Sequence, residues 1–176
     1  MRTELKHNLP NNHDEHQRKL VMNHFRTLTA AQNGWLDALK VIIEQDAFQP
    51  LSAHIDGPAH YNLLVSAAAS NGHLDVVKWL IADSGLEIDL SAQNNFTLRV
   101  AIDSGELNLV KWLVIHSGQE IDISKSITYT SKLVNNAKTV ELADQYADIA
   151  DFLQATYEWV TLEYPIDFLR AMSVEP

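Results

Sequence analysis

The chain has 176 residues and 46% of them are hydrophobic, so it can bury one core of ordinary size. Its formal net charge of −10 argues against nucleic acid and anionic membranes, which bind basic surfaces, and mildly favours a protein partner with a basic surface. The absence of cysteine excludes disulfide bonds, thiolate metal sites and a cysteine nucleophile, and it suits a reducing compartment.

The first segment of the chain is polar. Residues 1–13 contain the helix-breaking run from Asn8 to Asn12, so we expect a flexible arm. From Asp14 onward apolar residues recur at helical spacing. This pattern predicts a helix over residues 14–28 at the start of a single domain over residues 14–176.

A first helical unit follows. The segment from Ala30 to Glu44 keeps 8 of 15 residues when it is compared with the segment 38 positions later. Residues 45–60 contain two prolines and a glycine, which favour a loop. We expect the loop to be either a binding element or a neutral insertion. Long loops of repeat proteins often bind partners. An insertion without function is also tolerated, because lengthening a loop costs little folding free energy.

Two further units repeat at a step of 33 residues. Residues 68–91 and 101–124 are identical at 13 of 24 positions, with Trp79 and Trp112 in equivalent places. In each unit two apolar stripes at helical spacing, separated by a glycine, predict two antiparallel helices joined by a tight turn. A fixed period of this length predicts stacked helix pairs, in which we expect the two tryptophans to stack on each other.

A fourth unit continues the period, but its pattern decays. Lys138 stands where the period puts glycine, so we expect a turn of different shape. Apolar residues at helical spacing then predict one long amphipathic helix from about Thr139 to Thr161. Residues 162–176 contain a helix-stopping proline and an apolar run, which we expect to fold back as a cap.

The segment from Gly72 to Leu80, Gly-His-Leu-Asp-Val-Val-Lys-Trp-Leu, resembles the second helix of the ankyrin repeat. The preceding alanine pair, and Phe96 to Arg99 in the place of the family's TPLH entry, extend the resemblance. It implies an all-α solenoid of stacked antiparallel helix pairs with capping helices. The repeats are then expected over about residues 24–60, 61–93, 94–126 and 127–161.

The resemblance also implies a function. Proteins of this family usually bind other proteins on the concave side of the array, through loop tips and the exposed side of each first helix, so we expect no catalysis and no cofactor. Transferred to this chain, that surface comprises Gln32, Asn33, His60, Asn62, Ser66, Ser70, Asn71, Gln93, Asn95, Arg99, Asp103 and Ser104. Trp35 is added because an exposed tryptophan is a candidate anchor for a partner.

Two other classes of function stay open. His54, Asp56 and His60 could bind a metal ion in an enzyme, which metal analysis of the purified protein would detect. The chain could instead be a structural or targeting segment of a larger assembly. We expect a monomer in the cytoplasm, or a host-directed effector that enters a host cytosol without a cleaved signal peptide, because the first residues lack an apolar signal core.

Overall fold

The computed structural model describes residues 12–45, 57–116 and 122–162, and within these ranges it contains eight helices and no strand. The helices are α1 (Asn12–Gln32), α2 (Leu36–Gln45), α3 (Gly57–Ser70), α4 (Leu74–Ala82), α5 (Ala92–Asp103), α6 (Leu107–His116), α7 (Ile123–Asn136) and α8 (Val140–Thr161). They form four consecutive helix pairs whose first helices pack side by side, so the described chain is an all-α solenoid.

Glycine makes the tight turns inside the first three pairs. Gly72 and Gly105 both have a φ of 73°, a conformation that a residue without Cβ adopts at little cost. At the first of these turns the His73 N–H donates to the Ala68 carbonyl over 3.0 Å and satisfies an acceptor at the end of α3. The turns predicted from the repeated glycines are confirmed.

The fourth pair uses a different turn. Helix α7 ends at Ala137 with an extended backbone, and the Thr139 side chain caps α8 by accepting from the Leu142 N–H. The predicted change of turn shape at Lys138 is therefore confirmed. The predicted long helix is also confirmed, because α8 runs from Val140 to Thr161 and buries Tyr146, Ile149 and Leu153.

The hydrophobic core repeats with the sequence. Ala68 and Ala101 are both fully buried, as are Leu80 and Leu113, and each pair is 33 positions apart. A fully buried leucine contributes roughly 1.5–3 kcal/mol relative to an exposed one. The small alanines let neighbouring first helices approach closely, while the larger side chains fill the space between the two helix layers.

The tryptophans of the second helices occupy similar half-buried positions against this core, but they do not stack on each other. Trp79 lies beneath the Lys40 ammonium at 5.9 Å, whereas Trp112 stacks on His116 with ring centroids 4.2 Å apart. The expected stacking was wrong, because axes of packed helices lie about 8–10 Å apart and each ring finds a nearer neighbour.

The first helix is longer than predicted. Helix α1 is continuous over 21 residues, so the predicted helix over residues 14–28 and the start of the first unit form one element. Val21 and Phe25 are 61% and 66% exposed, since no described helix covers that side of α1.

The connection after α2 also differs from the prediction. Helix α3 already begins at Gly57, so the predicted loop over residues 45–60 was wrong at its end. Pro58 fits there because the first turn of a helix needs no N–H donor. Most of that loop, the N-terminal arm up to residue 11 and the C-terminal cap after residue 162 lie outside the described residues.

Candidate partner-binding face

Helices α3, α5 and α7 leave one side open to solvent, which we call the first-helix face. Two neighbouring pockets lie on it. The basic groove, of about 320 Å³ between α5 and α7, is lined by Asn94, Asn95, Arg99, Lys125, Ser126, Thr128, Tyr129 and Lys132. The apolar notch, of about 40 Å³ between α3 and α5, is lined by Ala59, Asn62, Leu63, Ser66, Ala92, Gln93, Phe96 and Thr97.

The basic groove brings three cationic side chains together in a protein of net charge −10. Lys125 pairs with Asp122 at 3.0 Å, but both side chains are largely exposed and the pair adds little stability. Arg99 lies over the Phe96 ring, 5.7 Å from its centroid. Among the described residues no carboxylate lies within ion-pair distance of Arg99 or Lys132, so these two charges are available to a ligand.

Tyr129 fixes the base of the groove. Its hydroxyl donates to the Asp103 carboxylate over 2.6 Å and joins α7 to the end of α5. Burial, and next the hydrogen bond to Asp103, raise the pKa of Tyr129 to about 12, so the phenol stays protonated and keeps donating. Tyr146 of α8 donates to the main-chain carbonyl of Asp103 over 3.2 Å. Asp103 therefore holds three helices in register.

A left-handed turn separates the two pockets. Gln93, Asn94 and Asn95 have φ angles of 53°, 57° and 57°, a region that costs roughly 1 kcal/mol or more per residue and that asparagine tolerates best. The Asn95 N–H donates to the Ser91 carbonyl over 3.2 Å and supports this turn. The turn directs Gln93 to the apolar notch and the two asparagines to the basic groove.

Three residues predicted to contact a partner are buried. His60, Ser66 and Asn95 are only 3%, 4% and 6% exposed, so their expected exposure was wrong. His60 lies within α3, and its ring packs against that of His24 in α1 in a tilted arrangement with a centroid distance of 4.0 Å. The Ser66 hydroxyl forms a hydrogen bond of 2.9 Å with the Thr97 hydroxyl across α3 and α5. Neighbouring helices use the His60 and Ser66 side chains internally, whereas the buried Asn95 lies at the wall of the basic groove.

The other predicted residues are at least partly exposed, but only some of them line a pocket. Asn62 and Gln93 line the apolar notch, and Arg99 lines the basic groove. The remaining ones lie next to the turns, at the ends of the first helices: Gln32, Asn33, Ser70, Asn71, Asp103 and Ser104. Several of these bond to carbonyls in the last turn of their own helix, as the side chains of Asn33, Ser70, Asn71 and Ser104 do. Their part in binding stays a prediction.

Trp35 lies elsewhere in the molecule. It is 56% exposed and lines a pocket of about 240 Å³ between α1 and α2, together with Phe25 and Ile42. This pocket shares no residue with the two on the first-helix face. A role of Trp35 in binding stays a separate prediction.

The hypothetical metal site loses one of its accessible ligands, because His60 is buried in α3. His54 and Asp56 lie outside the described residues. Within the described ranges, no three or more His, Asp or Glu side chains are grouped so that they could hold a metal ion. The same ranges contain no helix with the length and apolar character needed to cross a membrane.

The sequence analysis missed most of the basic groove, although a signal was present. Helix α7 has no Asp or Glu, and its Lys125 and Lys132 are seven positions apart. That spacing is about two helical turns and puts both lysines on one side of the helix. The repeat pattern decays in this unit, so the register of the earlier repeats could not be transferred to α7.

Comparison with known proteins gives one finding. A family model described as ankyrin repeats, three copies, matches residues 27–125, which is more than half of the chain. None of the curated proteins and none of the solved structures compared with the chain matches it.

Proposed function

The chain belongs to the ankyrin-repeat family, and we propose that it is a non-catalytic module that binds a partner protein on its first-helix face. Ankyrin repeats are generally protein-protein interaction modules. The observation that carries the proposal is the pair of adjacent pockets on that face, one on each side of the left-handed turn at Gln93.

The proposed mechanism is recognition by a preformed surface. The apolar notch is flanked by the buried hydrogen bond between Ser66 and Thr97, and the basic groove by the Tyr129 hydrogen bond to Asp103. A surface fixed in this way loses little conformational entropy when a partner binds, so more of the interaction energy contributes to affinity.

The test is to obstruct the face with bulk and without charge. A Leu63→Trp/Thr128→Trp variant fills both pockets from their lining residues, while Ala82→Trp/Asn108→Trp introduces the same number of tryptophans at exposed positions of α4 and α6. In affinity capture from a lysate of the source organism, quantified by mass spectrometry, we expect the first variant to lose the partners that wild type and control retain. Equal recovery by all three proteins, with circular dichroism confirming their folding, would contradict the proposal.

We further propose that the protein acts as a monomer in the cytoplasm. Its net charge of −10 supports a monomer, because like charge opposes self-association. Light scattering at several protein concentrations tests the monomer, and a stable oligomer would favour the alternative of a structural segment in a larger assembly.

A further inference from the structure

We propose that the basic groove and the apolar notch together bind one extended acidic segment of the partner protein, with carboxylate side chains in the groove and a neighbouring apolar side chain in the notch. This inference rests on the proposed function and adds the chemistry of the ligand. The net charge of the chain points to a basic partner at long range, whereas the local charge of this site points to an acidic one.

The first observation that supports an acidic ligand is the positive charge around the groove. Arg99 on one wall and Lys125 and Lys132 on the other face the same cavity. The nearest opposing carboxylates are engaged: Asp122 with Lys125, and Asp103 with the Tyr129 hydroxyl. A ligand carboxylate that enters the groove meets a net positive site, and a guanidinium binds a carboxylate through two parallel hydrogen bonds.

The second observation is the apolar notch, which supports an apolar side chain in the ligand. Leu63 is 42% exposed, and the Phe96 ring forms part of the same wall, together with two alanines. A cavity of about 40 Å³ admits part of one side chain, so it selects a single apolar anchor. Arg99 lies over the Phe96 ring between the two pockets, and the apolar and acidic parts of the ligand must therefore be close together along its chain.

The third observation is a set of polar uncharged side chains, which supports an extended main chain in the ligand. The exposed amides of Gln93 and Asn94 line the two pockets, as does the exposed Thr128, whose hydroxyl donates to the Ser124 carbonyl and can still accept a hydrogen bond. They offer hydrogen-bond donors and acceptors to the main chain of an extended peptide. The ligand that fits all three observations is an extended segment in which an apolar residue adjoins two or more Asp or Glu residues.

The experiment selects ligands from random sequences, so the partner need not be identified first. A phage-displayed library of random peptides is selected on the wild-type protein, and the most enriched peptides are synthesised and titrated by fluorescence anisotropy. The charge variant is Arg99→Gln/Lys132→Gln. The matched control is Lys78→Gln/Lys138→Gln, which removes the same charge from exposed positions outside the groove. We expect the enriched peptides to combine two or more acidic residues with an adjoining apolar one.

For such a peptide we expect the charge variant to bind about tenfold more weakly and the control to bind like wild type, and affinity to fall as salt is added. Neutral or basic peptides that the Leu63→Trp/Thr128→Trp variant excludes would overturn this inference and leave the proposed function standing. Peptides insensitive to both variants would overturn both proposals. An absence of any enriched peptide would overturn this inference.

Discussion

The imidazole rings of His24 in α1 and His60 in α3 pack against each other between two first helices, with their planes tilted by 32°. The Nδ1 atoms of both rings are buried without a hydrogen-bond partner, and His60 Nε2 lies 3.4 Å from the Thr27 hydroxyl. Burial, followed by the neighbouring His24, lowers the pKa of His60 from 6.5 to about 4. The buried pair therefore favours the neutral form of His60.

This pair predicts a loss of stability in mild acid. Between pH 6.5 and 4 the unfolded chain binds a proton at His60 that the folded chain does not, so the free energy of unfolding decreases as the pH falls through that window. We expect a contribution on the order of 1–2 kcal/mol between pH 7 and pH 5. Urea unfolding at both values should show a smaller pH effect in His60→Leu than in wild type.

The control for this prediction is His116→Leu, a change at an exposed histidine of α6. It should retain the wild-type dependence on pH. If His60→Leu and wild type lose the same stability between pH 7 and pH 5, the histidine pair does not cause the effect.

At the scale of helices, a different polar contact lies beside each of the two pockets. Helices α3 and α5 are joined in the middle by the buried hydrogen bond between Ser66 and Thr97, and the notch beside it is narrow. Helices α5 and α7 are joined at the end of α5, where Tyr129 donates to Asp103, and the groove beside them is wide. The contact in the middle of the helices thus lies beside the smaller cavity, and the contact at the end of a helix lies beside the larger one.

The buried hydroxyl pair gives a prediction at this scale. Ser66→Ala leaves the Thr97 hydroxyl buried without a partner, which should cost about 1–3 kcal/mol of unfolding free energy. Adding Thr97→Val removes that unpaired group, so the double variant should be more stable than the sum of the single effects by at least about 0.5 kcal/mol. Urea unfolding measures all four proteins, and strict additivity would contradict the assigned hydrogen bond. Ser131→Ala, an exposed site on α7, should change stability little.

For the whole molecule, the repeating architecture could be predicted because it depends on positions that the period preserves. Gly72 and Gly105 supply the turns and the paired small residues supply the close packing, and both effects are local enough to be recognised from sequence. Helix α8 could be predicted as well, since its apolar stripe has the period of an isolated amphipathic helix.

The binding face could be predicted only in part, because exposure depends on contacts between units. Ser66 is polar and looks like a surface residue, but its partner Thr97 comes from the next unit, 31 positions away. The left-handed turn at Gln93 cannot be read from the repeat pattern, since glycine is absent there. Lys125 and Lys132 were missed because they join Arg99 only after α5 and α7 pack.

The most direct test of the account is site-specific photocrosslinking in cells of the source organism. A photoreactive phenylalanine analogue replaces Ser131, an exposed residue of α7 that adjoins Lys132 without lining the basic groove, or, as the control, Asn108 on the exposed side of α6. We expect the probe at position 131 to crosslink a partner through an acidic segment, identified by mass spectrometry, and the probe at position 108 not to crosslink it. Crosslinks to that partner from position 108 alone would contradict the account.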